Sequence, residues 1–406
     1  MQDLSPFHKE DNVIKRLVPM AIIALAIVGC SDKDNGVKPP SYDLTKLNAI
    51  KVTTDPVVDG ASSDAMWADA PALTVSLGDG MDETPPNCTS CHSRSSATTV
   101  TLKAVHSATK LTILASWPDD DASFTRSESW SWTNGAWAKP NGDQSEDRIA
   151  FFWPIGAITS DVAGQSTGGC MTKCHTTDVH PGNDLEDEAY LATGTADSWH
   201  MKAARFLPAT SASGSGLTID ATTHQVTGGT VRMAGWIDDK YNAQWSEANA
   251  PDGGRYADAG GGAESRNRIT DKSRPKYMEK APTDFMDAMI LTQSEIDAGQ
   301  TAGDATTGVS DADAALYWPA YAALKAIVPE RILKNPGGSR ADIIQGGVWA
   351  SGRWTVEMQR TLTTTDVEHD IQLAVGQEYI FGVATMDNAG GDEHKASTKH
   401  ILKVLE

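Results

Sequence analysis

Three things are scarce in this sequence, and each scarcity narrows what the chain can be. Cysteine occurs only five times in 406 residues, basic residues number 34 against 54 acidic ones, and the formal net charge is −20. The longest apolar run, Leu17 to Gly29, is 13 residues, short of the about 18 to 20 that a membrane-spanning helix needs. The acidic excess repels phosphate backbones and anionic surfaces, so nucleic acid is excluded as a partner and a membrane is reached only through an anchor. What is present, 40% hydrophobic and 22% charged residues, supports a large buried core rather than disorder. Phenylalanine is sparse too, seven against twelve tryptophans. Most of the tryptophans are expected in the core, with roughly two to four serving as walls for a flat macrocycle.

The 13-residue run follows Lys15-Arg16 and ends at Gly29-Cys30, the order of an export signal: basic flank, short apolar stretch, small residue at the cut. Ile27-Val28-Gly29-Cys30 resembles a bacterial lipobox. That implies removal of residues 1–29 as a lipoprotein signal peptide and lipidation of Cys30. Ser31, where an aspartate would mark inner-membrane retention, points to the outer membrane, facing the periplasm or the cell surface. Residues 30–46 are polar, contain Pro39-Pro40 and read as a tether. The folded domain is expected over 47–406.

In an exported protein thiols oxidise, so cysteines should be paired, coordinated or modified. Beyond Cys30 the four others form two tight runs, Cys88-Thr-Ser-Cys91-His92 and Cys170-Met-Thr-Lys-Cys174-His175. The first is CxxCH, the attachment motif of c-type haem, and the second is the rarer CxxxCH. Two thiols must reach two vinyl groups on one porphyrin edge while the next histidine turns its imidazole under the iron, and one helical turn does both. The expectation is two covalent haems, with His92 and His175 as proximal ligands. Two local disulfides, or a zinc site of four Cys and two His, remain as alternatives. Disulfides leave the histidine after each pair unexplained and strain the short Cys88–Cys91 loop; zinc needs runs about 80 residues apart to converge.

After the tether the chain reads as short strands divided by Gly, Asp, Asn and Ser clusters. Val100–Val105 and Leu111–Trp117 alternate about a turn at His106–Lys110, a hairpin signal. Further alternating stretches cover 148–155, 199–206, 230–236, 349–362 and 371–386. The fold class is mainly β, an antiparallel β-sandwich with a few short helices and long haem-covering loops. One helix is predicted over Asp311–Ile327, capped by Ser310 with Asp313 in its first turn and kinked or broken at Pro319. The Gly- and Asp-rich stretch 238–282 reads as a loop insertion, either a flap over a haem face or a solvated excursion.

Ile50 to Val75, LKAVHSATKLTILASWPDD at 102–120, EDRIAFFW at 146–153, GGCMTKCH at 168–175 and ADSWHMKAAR at 196–205 resemble the ethylbenzene-dehydrogenase-related haem-binding domain. PDGGRY, RPKYM, GSRADI, GVWASGRWTVEMQRTL and FGVATMDNAGGDEH continue the likeness in order. The resemblance implies a β-sandwich that holds haem and passes electrons; its best-known relatives are haem b subunits of periplasmic molybdenum enzymes, with Met and Lys on the iron. This chain departs from them by its CxxCH run, its lipobox and its greater length. Met201, Met386 and Lys395 are the candidates for keeping a Met/Lys pair. The opening DG…W…A also resembles carbohydrate-binding sandwich modules of family nine.

His106 at the hairpin tip, His200 in SWHMKAAR and His394 ending DNAGGDEH are the candidate distal iron ligands, with methionine as the alternative. Three functions follow. The leading one is a dihaem c-type electron-transfer lipoprotein with a cationic redox partner protein such as a cytochrome. The others are a haem-bearing subunit of a molybdenum oxidoreductase complex and a carbohydrate-binding module with structural cysteines. No nucleophile elbow or phosphate loop marks an enzyme acting alone.

Overall fold

Successive side chains of a strand point to opposite faces, so alternation buries one face. Thr99–His106 follows this rule as far as Ala104, whereas Lys110–Pro118 is buried on both faces from Leu111 to Ala115; the two pair antiparallel, Leu102 opposite Ala115 and Ala104 opposite Ile113, as the hairpin signal predicts. The computed structural model describes residues 41–79, 97, 99–126, 128–140, 145–156, 194–205, 213–237, 239–243, 255–388 and 394–406. In the unit Tyr42–Glu406, these residues are mainly β.

A continuous sheet runs through two halves. The first takes the strands in the order Ser213–Ile219, Val226–Trp236, Ile344–Ala350, Arg353–Thr361, Lys110–Pro118, Thr99–His106, Leu47–Lys51 and His400–Val404. The second takes Glu378–Met386, Arg148–Ile155, Thr195–Lys202, Lys240–Asn242 and Arg255–Ala257. Glu378–Met386 joins them: residues 378–381 pair with 400–403 and residues 382–386 with 148–152. Side chains then cross between the halves. Trp354 Nε1 donates to Asp147 Oδ2 at 3.1 Å, and the Arg360 guanidinium lies 5.0 Å over the Trp199 ring while binding Asp197. The halves are the two layers of the predicted sandwich.

The core between them is aromatic. Trp117, Trp153, Trp199, Trp354, Phe151 and Phe381 are fully buried, and Trp153 packs against Trp199 and Phe381 with ring centroids 5.2 Å away. Truncating one such side chain typically costs about 3–5 kcal/mol. The tryptophan excess is therefore spent mainly on the core, as expected.

Several elements differ from the sequence reading. The stretch 349–362 is a hairpin, Ile344–Ala350 with Arg353–Thr361, because Ser351 and Gly352 both take positive φ (53° and 70°) and Trp349 pairs with Trp354. That is the geometry of a two-residue turn whose twist suits a hairpin. The strand expected over 371–386 begins only at Glu378, and the one over 199–206 is Thr195–Lys202. Leu47–Lys51 is parallel to both its neighbours. The helix is Asp311–Leu324, with Ser310 accepting from the Asp313 amide (3.1 Å), Lys325 closing it in the left-handed region, and Pro319 inside an unbroken run. Within 238–282, Lys240–Asn242 and Arg255–Ala257 extend the second layer, and Glu264–Arg266 and Tyr277–Glu279 form small sheets with Arg331–Leu333 and Thr301–Gly303. The described part is therefore built of strands. No helix among the described residues is long and apolar enough to cross a membrane.

Candidate functional site

The strand Thr195–Lys202 places the first candidate. Trp199 points into the inter-layer core, so His200 points to the outward face of the second layer, where it is buried. Register carries a row of small residues away from it across the sheet: His200 faces Ala150, Ala150 faces Ala384, Ala384 faces Ala396, and Ala396 faces Gly78. Side chains no larger than methyl make this lane flat. Phe152 and Met386 lie on the same face, buried but outside both apolar core clusters. His394, also buried, precedes Ala396 by two residues.

His106 is placed differently. Its Nδ1 lies 2.9 Å from the Ser107 carbonyl and its Nε2 2.7 Å from the Leu405 carbonyl, so both ring nitrogens are engaged by backbone. It ties the end of one strand to the C-terminal segment and lies in the first layer. Met201 faces the inter-layer core beside Trp199, away from His200, and Lys395 pairs with Thr385. Cys30, Cys88, Cys91, His92, Cys170, Cys174 and His175 lie outside the described residues. In the chain, the first run follows Gly78–Asp79 and the second separates Arg148–Ile155 from Thr195–Lys202, strands that all contribute to the flat lane.

Two electrostatic assemblies border this layer, and the sequence reading identified neither. Glu146 Oε1 accepts from Arg148 (2.9 Å), Arg205 (2.9 Å) and Arg126 (3.4 Å), and Arg205 and Arg331 both continue to Glu264 (3.1 Å each). Burial alone would raise the Glu146 carboxyl, but the Arg205, Arg126 and Arg148 guanidiniums hold it well below the usual carboxylate range. The next residue has the opposite surroundings. Asp147 stands with Asp119 and Asp387, their oxygens within 4.8 Å of one another. Burial, then the Asp147, Asp387 and Asp121 charges, push the Asp119 carboxyl up to about 11. A sequence signal existed in the acidic residues that flank strand ends, in WPDDD, SEDRI and TMDN, but spacing alone gives no reason to bring these three together.

No curated protein matches the chain. Among solved structures the chain is similar to a family 9 carbohydrate-binding module from Caldicellulosiruptor kristjanssonii. The complex of that module with cellotriose is 8% identical over 88% of this chain and 93% of that chain, with TM-score 0.27; its complex with glucose is 8% identical over 89% and 95%, with TM-score 0.27. A candidate carbohydrate-binding protein from Bacteroides uniformis is 7% identical over 89% and 99%, with TM-score 0.31. Residues 64–398 match the family model described as ethylbenzene dehydrogenase, and on that span this chain belongs to the ethylbenzene dehydrogenase family.

Proposed function

We propose that this protein is a lipid-anchored dihaem c-type cytochrome that carries electrons for an oxidoreductase chain, with haem held covalently at Cys88/Cys91 and at Cys170/Cys174 and His92 and His175 as proximal ligands. The observation that carries the reading is that four of the five cysteines fall into two pairs, each followed at once by histidine. Membership of a family named for a dehydrogenase supports a redox role and association with an oxidoreductase complex. Haem, when bound, supplies reversible one-electron chemistry at iron.

The described residues fit such a group. The flat Ala150, Ala384, Ala396 lane offers room beside a planar ligand, and His200 and His394 are buried nitrogen donors at its two sides. The burial excludes water, and the strand that carries His200 holds its ligand atom in place, which keeps reorganisation on electron transfer small. His106, held at both nitrogens by carbonyls, serves the fold instead.

The test is an absorption spectrum of the exported protein before and after dithionite, with intact mass after denaturing extraction. Two covalent haem adducts are expected, one on each cysteine pair. An apo mass with both pairs oxidised overturns the reading, and a single adduct at Cys88/Cys91 reduces it to one haem. Cys30→Ala should release folded, haem-loaded protein from the membrane fraction.

A further inference from the structure

We infer that Asp119, Asp147 and Asp387 form a structural calcium site that joins three strand ends of the sandwich. Asp119 directly follows Lys110–Pro118, Asp147 directly precedes Arg148–Ile155, and Asp387 directly follows Glu378–Met386. The first strand belongs to one layer and the second to the other, so the cluster sits where the layers meet. Its oxygens lie within 4.8 Å of one another, a spread that ligands at calcium's oxygen distance of about 2.3–2.6 Å can span.

Carboxylates gathered in this way are common without an ion; what points to a ligand here is Asp119. It is 1% exposed, and neither carboxylate oxygen has a hydrogen-bond partner. Its backbone is fixed on both sides, the N–H donating to the Gly352 carbonyl and the carbonyl accepting from Trp349 Nε1, each at 2.9 Å. The side chain is thus held inward, where the Asp121 backbone N–H, the weakest of the influences on it, offsets little of the acidic surroundings. Asn388 adds a neutral oxygen: its Nδ2 donates to Asp387 (3.0 Å) and Asp121 (3.1 Å), while Oδ1 is buried without a donor. Asp147 is oriented by the Ser123 amide (2.7 Å) and Trp354 Nε1 (3.1 Å) on Oδ2 and by the Asn388 amide (3.1 Å) on Oδ1, which leaves a lone pair on Oδ1.

The charges acting on Asp119 are Asp147, Asp387 and Asp121, all acidic. A second triad, the fully buried Asp197, Asp239 and Asp370, has Arg360 bound to Asp197 and 3.6 Å from Asp370, so a guanidinium answers its charge. An all-oxygen, carboxylate-rich donor set with no nitrogen or sulfur selects a hard ion, and calcium tolerates irregular coordination better than magnesium.

The experiment uses the full chain, stripped with EDTA and titrated with calcium chloride by calorimetry, with thermal unfolding followed in parallel. Calcium should bind and raise Tm by at least about 3 °C at saturation, because binding to the folded state alone stabilises it. Asp119→Asn should weaken that binding at least tenfold and abolish the Tm rise, yet unfold in EDTA within about 2 °C of the wild-type temperature, since the amide matches the carboxyl in size and brings no charge into the buried cluster. That second result shows the variant is folded. Glu279→Gln, in the half-buried Glu279, Asp287, Glu295 group, should leave the shift intact. No calcium-induced shift in wild type, an equal shift in Asp119→Asn, or loss of the shift in Glu279→Gln instead, each overturns the assignment.

Discussion

Glu146 and Asp147 are neighbours in sequence with opposite electrostatic surroundings. Glu146 is fully buried among Arg126, Arg148 and Arg205. Removing its charge leaves buried guanidiniums without a counter-ion, and Glu146→Gln should cost about 3–5 kcal/mol in urea unfolding at pH 7. The sign of the pH dependence follows from the lowered carboxyl. Its stabilisation is complete above the unfolded carboxylate value of about 4.3 and is lost as pH falls through the lower folded value, so the gap between wild type and variant should narrow in acid. The histidines give a second contrast. If the haem reading holds, His200→Ala should turn one haem high-spin and able to bind carbon monoxide. His106→Ala should leave the spectrum unchanged and lower Tm, because its nitrogens hold the Ser107 and Leu405 carbonyls; an altered spectrum would return His106 to the iron.

Among the elements, the segment after the first strand is latched to the sheet by one carboxylate. Glu357, inside Arg353–Thr361, accepts from the Asp59 and Gly60 amides at 2.9 Å each and from Trp67 Nε1 at 2.8 Å. The latch lies so close that a Cβ at Gly346 would come within 2.6 Å of the Asp59 backbone. Backbone cannot give way as a flexible side chain can, so Gly346→Ala should lower stability by at least about 2 kcal/mol in chemical denaturation; a variant as stable as wild type would show that the segment is free to move. Such long-range contacts also mark where the sequence stops being legible. The hairpin at 99–118 and the strand 148–155 follow from local alternation, and the helix cap at Ser310 from its spacing to Asp313. The Ser351-Gly352 turn was available as a breaker signal, but alternation ran on through Trp349 and Trp354 and hid it. In Thr195–Lys202 both faces are buried after the first residue. Periodicity therefore could not tell that Trp199 faces the core and His200 the lane, nor that His106 would meet a carbonyl at the far end of the chain.

For the whole molecule, the order of the strands decides how stability is shared. Leu47–Lys51 bonds on one side to Thr99–His106 and on the other to His400–Val404, and that last strand in turn pairs with the one joining the two layers. Deleting residues 400–406 should therefore abolish cooperative unfolding rather than trim an end, as read by loss of the sigmoidal thermal transition; a shortened chain that still unfolds in one transition would show the layers to be joined well enough elsewhere. The same arrangement has a meaning in time. A ribosome releases Leu47–Lys51 hundreds of residues before His400–Val404, so one edge of the earlier strand stays open until its parallel partner has been made. Folding of this sandwich thus waits for residues 400–404, and the open edge of Leu47–Lys51 is the place where a chaperone has most to protect.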